Sequence, residues 1–237
     1  MKRHIVFDLD GTLVDSLPGI ATGLNRALAS LGLPQHEPAA VRGMIGRGAA
    51  NLCAAAIGYA DVSLAPAAEL DAVHGAFRRE YPLCWQGPEG TVPYPGIVLM
   101  LTKLYAAGAH LAVLSNKPHE VTAPMVKALF PTIPFDAVLG YSERFPRKPS
   151  PESLLYLAEQ WGVSPQELTL VGDSLYDART AVNAGTQTAL VAWGYAVVRE
   201  LAAWGCPLFG TAAELSHYLL HAEDEALSGS VIRAATP

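Results

Sequence analysis

The segment from Ile5 to Ser16 constrains this chain more than any other part of its sequence. An apolar run ends abruptly at Asp8, and Asp10 follows two residues later. Side chains two positions apart in an extended chain point to the same side, so two carboxylates are presented next to each other if the strand geometry persists. Adjacent anions repel each other unless one is protonated or a cation lies between them. Either option is useful in catalysis, because one carboxylate can attack an electrophile, its neighbour can donate a proton, and Mg2+ can hold the pair together.

A second interpretation of these residues stays open at this point. An Asp-Gly pair between apolar residues is also a common β-hairpin signal. In that case Asp10 and Gly11 would form a turn between two paired strands and would carry no chemistry.

Composition and charge exclude several classes of function. The chain has 237 residues, of which 51% are apolar, which suits one large domain or a core domain with a smaller companion. Its formal net charge of -6 argues against a nucleic acid or an anionic membrane surface as the main partner. The longest apolar run, residues 189–198, is too short to span a bilayer. We expect a protein with no nucleic-acid or membrane partner.

The cysteines and the N-terminal residues predict a cytoplasmic location. Cys53, Cys84 and Cys206 are widely spaced and odd in number, which is typical of free thiols in a reducing compartment. The first apolar run resembles the start of an export signal, but Asp8 and Asp10 interrupt it too early.

Strand and helix patterns alternate in the second part of the chain. Strands are predicted at residues 4–9, 110–114, 137–139, 168–171 and 188–191, and helices at residues 96–107, 119–129, 151–161, 175–184 and 211–221. The strands are apolar without a polar alternation, which is typical of a parallel sheet covered on both faces. We therefore predict an α/β fold with a Rossmann-like, doubly wound parallel sheet as its core.

The residues after the first strand lie outside this alternation. Helical patterns cover residues 17–31, 39–58 and 65–83, and the stretch 84–95 is rich in Gly and Pro, which marks a linker. We predict an α-helical cap domain at residues 16–88, inserted into a core domain formed by residues 1–15 and 89–237.

Polar residues follow four of the predicted strands, at the edge where an open α/β sheet binds its ligands. They are Asp8 and Asp10; then Ser115, Asn116 and Lys117; then Arg147, Lys148 and Pro149; and finally Asp173 and Ser174, with Asp177 one helical turn further on. Carboxylate oxygens suit Mg2+ better than Zn2+, while a lysine, a hydroxyl and backbone N–H groups suit phosphate. Taken singly, Lys148 could be a solvated surface lysine, and Asp173 and Asp177 could be a helix cap followed by a first-turn acid.

These segments also resemble a known family. The sequences Asp8-Leu-Asp-Gly-Thr-Leu-Val-Asp, Leu114-Ser-Asn-Lys, Arg147-Lys-Pro-Ser-Pro and Gly172-Asp-Ser-Leu-Tyr-Asp, in this order, are similar to the four motifs of the haloacid-dehalogenase superfamily. Within it, the chain resembles the phosphoglycolate-phosphatase-like branch, which has a helical cap between the first and second motifs. Tyr94-Pro-Gly and the residues that follow Asp177 also look like that branch.

The resemblance implies a role for each matching residue. Asp8 would be the nucleophile that forms an aspartyl-phosphate, and Asp10 would protonate the leaving group and then activate water. Mg2+ would be held by Asp8, the Asp10 carbonyl and Asp173, and Asp177 would lie next to these ligands without binding the ion itself. Ser115 and Lys148 would bind the phosphoryl group, helped by Asn116 and Thr12. An Asp at position 10 favours phosphoryl chemistry over dehalogenation, because a halide leaving group needs no proton.

One residue of the cap is a candidate for specificity. Gly46-Arg47-Gly48 interrupts the second cap helix, and related phosphatases carry a glycine-containing loop there that approaches the substrate. We expect Arg47 to bind a substrate carboxylate or a second anionic group, the alternative being a solvent-facing arginine at a helix junction.

The leading hypothesis is a Mg2+-dependent phosphatase for a small phosphomonoester, with phosphoglycolate as the first candidate substrate. A phosphosugar phosphatase or a phosphomutase on the same scaffold is the second hypothesis, and a catalytically silent binding module is the third. The partner would be a small phosphorylated metabolite, and the protein would be a monomer or a homodimer.

Overall fold

The protein is built around a parallel β-sheet with helices on both faces. The computed structural model describes residues 3–87 and 90–228, with side chains to residue 221. Among these residues the sheet has six strands in the order β5-β4-β1-β6-β7-β8, all parallel. The strands are β1 (His4–Phe7), β4 (His110–Pro118), β5 (Ala137–Tyr141), β6 (Leu168–Gly172), β7 (Gln187–Val191) and β8 (Leu208–Phe209). The predicted α/β fold class is confirmed.

The central strand explains why the apolar runs lack polar alternation. All four residues of β1 are buried, with β4 on one side in register His4 to His110 and β6 on the other in register His4 to Leu168. Ile5 and Phe7 pack into one apolar cluster, whereas Val6 packs into another on the opposite face. Because successive side chains alternate between the faces of a sheet, both faces of this strand require apolar residues.

Two groups of helices cover the sheet. One face packs against α5 (Ile97–Ala106), α6 (His119–Leu129) and α10 (Ala212–Ser228). The other face packs against α7 (Glu152–Trp161) and α8 (Leu175–Ala184). A short helix, α9 (Val198–Ala202), follows β7 and packs near the sheet edge through Leu201.

Four helices lie between the first and second strands of the sheet, and we call them the cap helices. They are α1 (Leu17–Ser30), α2 (Pro38–Arg42), α3 (Ala49–Ala56) and α4 (Ala67–Cys84). The chain enters them through β2 (Val14–Asp15) and returns through β3 (Val92–Pro93), and these two strands pair antiparallel. The predicted domain boundary at residues 88 and 89 lies outside the described residues, so the division into cap and core stays a prediction.

The cap helices are closely packed, and one of the predicted helical patterns is interrupted. A Cβ on Gly23 of α1 would lie 3.0 Å from the Tyr81 Cα of α4, which shows how closely the two helices approach. The helical pattern predicted at residues 39–58 forms two helices, α2 and α3, and the irregular segment between them contains Gly46-Arg47-Gly48, which was expected to interrupt the pattern. Gly46 and Gly48 adopt φ values of 110° and 87° there, and a helix cannot accommodate positive φ.

The hairpin interpretation of Asp10 and Gly11 is also wrong. Gly11 does occupy a tight turn with φ 88°, but the strand before the turn pairs with β4 and β6, and the strand after it pairs with β3. Within residues 3–87 and 90–228, every helix falls short of what crossing a membrane requires in length and apolar character.

Candidate active site

Three carboxylates meet where the central strands end. Asp8 follows β1, Asp173 follows β6, and Asp177 lies in the first turn of α8. All three side chains are buried, and one oxygen from each lies within 4.8 Å of the others. The Lys148 Nζ lies 2.5 Å from Asp8 Oδ1 and 2.5 Å from Asp177 Oδ1. The loops predicted to converge at this edge do so, and Lys148 is a buried residue instead of a solvated one.

The carboxylates carry more negative charge than the surrounding groups compensate. Burial, followed by the charges of Asp177 and Asp173, raises the pKa of Asp8 well above its usual value, although Lys148 opposes the shift. Burial and Asp177 likewise raise the pKa of Asp173 to about 7, against the backbone N–H of Tyr195. Burial alone would lower the pKa of Lys148, but Asp177 and Asp8 raise it above the usual lysine value, so the ammonium stays charged.

This arrangement fits a hard divalent cation. Buried carboxylate oxygens are the ligands that Mg2+ prefers, and a cation removes the repulsion between them. The backbone around Asp173 leaves room for its carboxylate only because two glycines flank it. A Cβ on Gly11 would lie 2.3 Å from Asp173 Oδ2, and a Cβ on Gly194 would lie 2.2 Å from it. Among the described residues, the side chain of Asp10 does not join this group of carboxylates.

Asp10 is held by a second lysine instead. Its Oδ2 lies 2.9 Å from the Lys117 Nζ, which also donates to the Tyr81 hydroxyl of α4 at 2.9 Å. Burial opposes the charge on Lys117, but Asp10 and Tyr81 raise its pKa above the usual lysine value. The other carboxylate oxygen of Asp10 is buried without a hydrogen-bond partner among the described residues. The described part of the protein therefore leaves one acceptor of Asp10 unused.

Ser115 and Asn116, both predicted to bind the phosphoryl group, make different contacts. Ser115 is buried at the cavity surface, where its hydroxyl accepts a hydrogen bond of 3.2 Å from the Lys117 N–H. Asn116 is engaged with protein groups, because its Oδ1 accepts from the Lys148 N–H at 2.7 Å and its Nδ2 donates to the Gly46 carbonyl at 3.0 Å. Asn116 therefore positions the Lys148 loop and contacts the cap.

Thr12 lies beneath the site. Its hydroxyl is buried and has no hydrogen-bond partner in the described part of the chain, and its carbonyl accepts from the Trp193 indole at 3.1 Å. Thr12 is absent from the described lining of the cavity, so the structure does not bring it to the phosphoryl position predicted for it.

A cavity of about 620 Å³ separates these polar groups from the cap helices. The cap contributes apolar side chains such as Leu52 and Phe77, and also Arg42 and Arg78. Arg47 is not among the described residues that line this cavity. Its guanidinium donates to the Ala60 carbonyl at 2.9 Å, so it is directed along the cap and away from the cavity.

Three contributors were not identified from the sequence. Tyr81 and Arg42 both lie in helical patterns of the cap, and such patterns predict only packing. Tyr195 follows β7 and donates its N–H to Asp173 Oδ2 at 2.6 Å. Its position just beyond a strand end could have identified it as a site residue, but residues 189–198 were interpreted only as an apolar run.

Comparison with known proteins identifies the family. The family model described as haloacid dehalogenase-like hydrolase matches residues 5–191, which include all four motifs and the cap helices. The chain belongs to the haloacid dehalogenase-like hydrolases. Within this family it lies in the phosphoglycolate-phosphatase-like branch, as two curated relatives show. It is 36% identical over 198 residues to the phosphoglycolate phosphatase of Rhodospirillum rubrum, covering 82% of this chain and 81% of the relative. It is 34% identical over 209 residues to that of Escherichia coli K12, covering 81% and 82%.

A solved structure supports the same branch of the haloacid dehalogenase-like hydrolases. A protein from Lactobacillus delbrueckii subsp. bulgaricus, provisionally named a phosphoglycolate phosphatase, superposes with a TM-score of 0.84 at 28% identity. The match covers 92% of this chain and 99% of that one, so it includes the sheet and the cap helices.

Proposed function

We propose that this hydrolase is a Mg2+-dependent phosphatase for small phosphomonoesters, with phosphoglycolate as the leading substrate. The observation that carries the proposal is the group formed by Asp8, Asp173, Asp177 and Lys148, of which all but Asp177 line the cavity. The names of the curated relatives support phosphoglycolate in particular.

In the proposed reaction, a carboxylate oxygen of Asp8 attacks the phosphorus, and the bond from phosphorus to the leaving oxygen breaks. Asp10 gives its proton to that oxygen, and an aspartyl-phosphate remains on Asp8. Asp10 then takes a proton from water, whose oxygen attacks the phosphorus and releases phosphate from Asp8. Mg2+, held by Asp8, Asp173 and the Asp10 carbonyl with Asp177 in support, would neutralise charge on the phosphoryl oxygens. Lys148 would add a fixed positive charge beside them, and Ser115 a hydroxyl.

The cavity also offers charge for a second anionic group on the substrate. Lys117, Arg42 and Arg78 line it, and each carries a cation that a substrate carboxylate could contact. A two-carbon acid such as phosphoglycolate needs such a partner at a distance from Lys148. We therefore assign to these three residues the contact with a substrate carboxylate that was expected of Arg47.

A phosphosugar phosphatase or mutase is the second candidate. The cavity of about 620 Å³ has room for a substrate larger than a two-carbon acid, and this observation favours a sugar phosphate. A silent binding module is disfavoured because Asp8 and Asp10 are both present in a buried, charged setting.

We also propose a domain division, a cellular location and an oligomeric state for this protein. The cap would consist of residues 16–88 and the core of residues 1–15 and 89–237. The free thiols of Cys53, Cys84 and Cys206 support a cytoplasmic location. The protein would act on its metabolite as a monomer or a homodimer.

Hydrolysis of p-nitrophenyl phosphate with and without Mg2+ tests the reaction. We expect Mg2+-dependent turnover in the parent and a loss of at least about a thousandfold in Asp8→Asn, because the nucleophile is removed. Asp71→Asn, an exposed acid on α4, is the matched control and should match the parent. Turnover that needs no metal, or that survives in Asp8→Asn, would contradict the proposal. Relative kcat/KM for phosphoglycolate and a panel of sugar phosphates then separates the two candidate substrates.

A further inference from the structure

The loop at residues 194–195 contacts three parts of the molecule that have different roles. It touches the carboxylate group through Asp173, the start of the cap helices through Ser16, and the cap itself through Arg42.

The first contact fixes the position of Asp173. The Tyr195 N–H donates to Asp173 Oδ2 at 2.6 Å. The Gly194 backbone lies so close that a Cβ there would be 2.2 Å from the same oxygen. Because the carboxylate is held between this loop and Gly11, any shift of the loop must move Asp173.

The second contact lies at the entrance to the cap helices. The Tyr195 hydroxyl accepts from the Ser16 N–H at 2.7 Å and from the Leu17 N–H at 2.9 Å, and it donates to Asp15 Oδ1 at 3.1 Å. Ser16 is the N-cap residue of α1, yet its own side chain does not cap the helix. The tyrosine hydroxyl therefore supplies an acceptor for the first N–H groups of α1, and Asp15 Oδ1 supplies a second one for the Leu17 N–H at 3.1 Å.

The third contact comes from the cap. The Arg42 guanidinium at the end of α2 donates to the Gly194 carbonyl, and its Nε donates to the Tyr195 carbonyl at 3.4 Å. The guanidinium also lies 6.0 Å from the centroid of the Tyr195 ring. Arg42 thus holds the loop from the cap side and makes no contact with the carboxylates themselves.

We propose that Tyr195 is a positioning residue that links closure of the cap helices to the placement of Asp173, and so to the affinity for Mg2+. The inference rests on the proposed function, since it takes Mg2+ as the ion at the carboxylates. When the cap helices move away, the loop loses the Arg42 donors, and the contact with the start of α1 changes. By linkage, whatever favours the closed cap tightens Mg2+ binding, and Mg2+ in turn favours the closed cap.

Calorimetric titration of the substrate-free protein with Mg2+ tests this link without any turnover. We expect Arg42→Met to raise the Kd for Mg2+ by roughly fivefold or more, which is the lower range of a typical coupling between sites. The sign is informative, because removing a positive charge near a cation site would by itself tighten binding. Tyr195→Phe should raise the Kd by about tenfold, as is usual when a group that orients a metal ligand is disturbed.

Three further variants make the result specific. Arg26→Met removes the same charge from an exposed position on α1 and should not weaken Mg2+ binding. Arg42→Lys keeps the charge with fewer donors and should fall between the parent and Arg42→Met. The double variant Arg42→Met with Tyr195→Phe should lose less than the sum of the single effects, because both act through one loop.

Thermal unfolding of each variant shows whether it is folded, and if Tyr195→Phe is not, the Arg42 series decides the question. An unchanged or lower Kd in folded Arg42→Met overturns the link while leaving the proposed function intact. A parent that binds no Mg2+ overturns both.

Discussion

Single side chains of this site serve structure and chemistry together, and Asp177 is the clearest case. Its Oδ2 accepts from the Ser174 N–H at 3.1 Å and from the Ser174 hydroxyl at 2.6 Å, while its Oδ1 faces the Lys148 ammonium. The sequence interpretation of Asp177 as a first-turn acid is confirmed, and this role coexists with the charge group. Asp173 precedes the N-cap residue Ser174 and does not cap the helix.

Asp10→Asn separates the two steps assigned to Asp10. p-Nitrophenol leaves without needing a proton, so the first step should persist in this variant, while the hydrolysis of the aspartyl-phosphate loses its base. We expect a burst of about one equivalent of nitrophenol, followed by turnover slowed about 10²–10⁴-fold. Rapid mixing with absorbance detection measures the burst. Asp8→Asn should give none, and steady turnover of Asp10→Asn at the parent rate would rule out the assigned role.

Which residues the sequence could predict depends on where they lie along the strands. Asp8 and Asp173 directly follow strands, and Lys148 lies in the loop after a strand. Because the ligand site of an open α/β sheet lies beyond the carboxyl ends of its strands, the sequence predicts that these three residues lie close together. Arg42 and Tyr81 come from the cap, whose orientation over the sheet is set by long-range packing that no local pattern encodes.

At the scale of elements, the strongest local signals gave the most accurate bounds. The predicted helices at residues 119–129 and 175–184 agree with α6 and α8, because a proline or a glycine marks their ends. β8 and α9 were not predicted. β8 has only two residues, which is too short for a periodic signal, and the start of α9 lies within the apolar run at residues 189–198.

Two glycines inside the cap helices provide a matched test of packing. Gly75→Ala in α4 should raise the free energy of unfolding by about 0.5–1 kcal/mol, because alanine favours helix and the nearest atom to a new Cβ is 3.7 Å away. Gly23→Ala increases helix propensity by the same amount, but the new Cβ would lie 3.0 Å from the Tyr81 backbone. We therefore expect a net loss of about 1–3 kcal/mol.

Urea denaturation at equilibrium measures both glycine variants. Equal shifts in the two would mean that α1 and α4 are packed less closely than described. The parent protein is the reference for each.

At the scale of the whole molecule, the buried carboxylates are a source of instability that a bound cation would relieve. Folding raises the pKa of Asp173 to about 7 and that of Asp8 in the same direction. A carboxyl group whose pKa is higher in the folded state contributes stability below its ordinary pKa, and this contribution is lost as pH rises through the folded value.

The metal-free protein should therefore unfold at a lower temperature at pH 8 than at pH 5.5. Saturating Mg2+ should raise the unfolding temperature more at pH 8, since protons no longer compete for the carboxylates. Asp173→Asn should show a smaller pH dependence in the absence of metal. Scanning calorimetry measures all three, and a metal-free unfolding temperature that rises from pH 5.5 to 8 would contradict the assignment.

The central position of β1 has a consequence for how this protein is made. The strand that precedes Asp8 lies between β4 and β6, which begin at residues 110 and 168. On the ribosome, at about 5–20 residues per second, its second neighbour is synthesised roughly ten to thirty seconds after it. Until then one edge of this apolar strand stays unpaired, and unpaired apolar edges are prone to aggregation. Asp8, the proposed nucleophile, thus reaches its native surroundings only after most of the chain has been made.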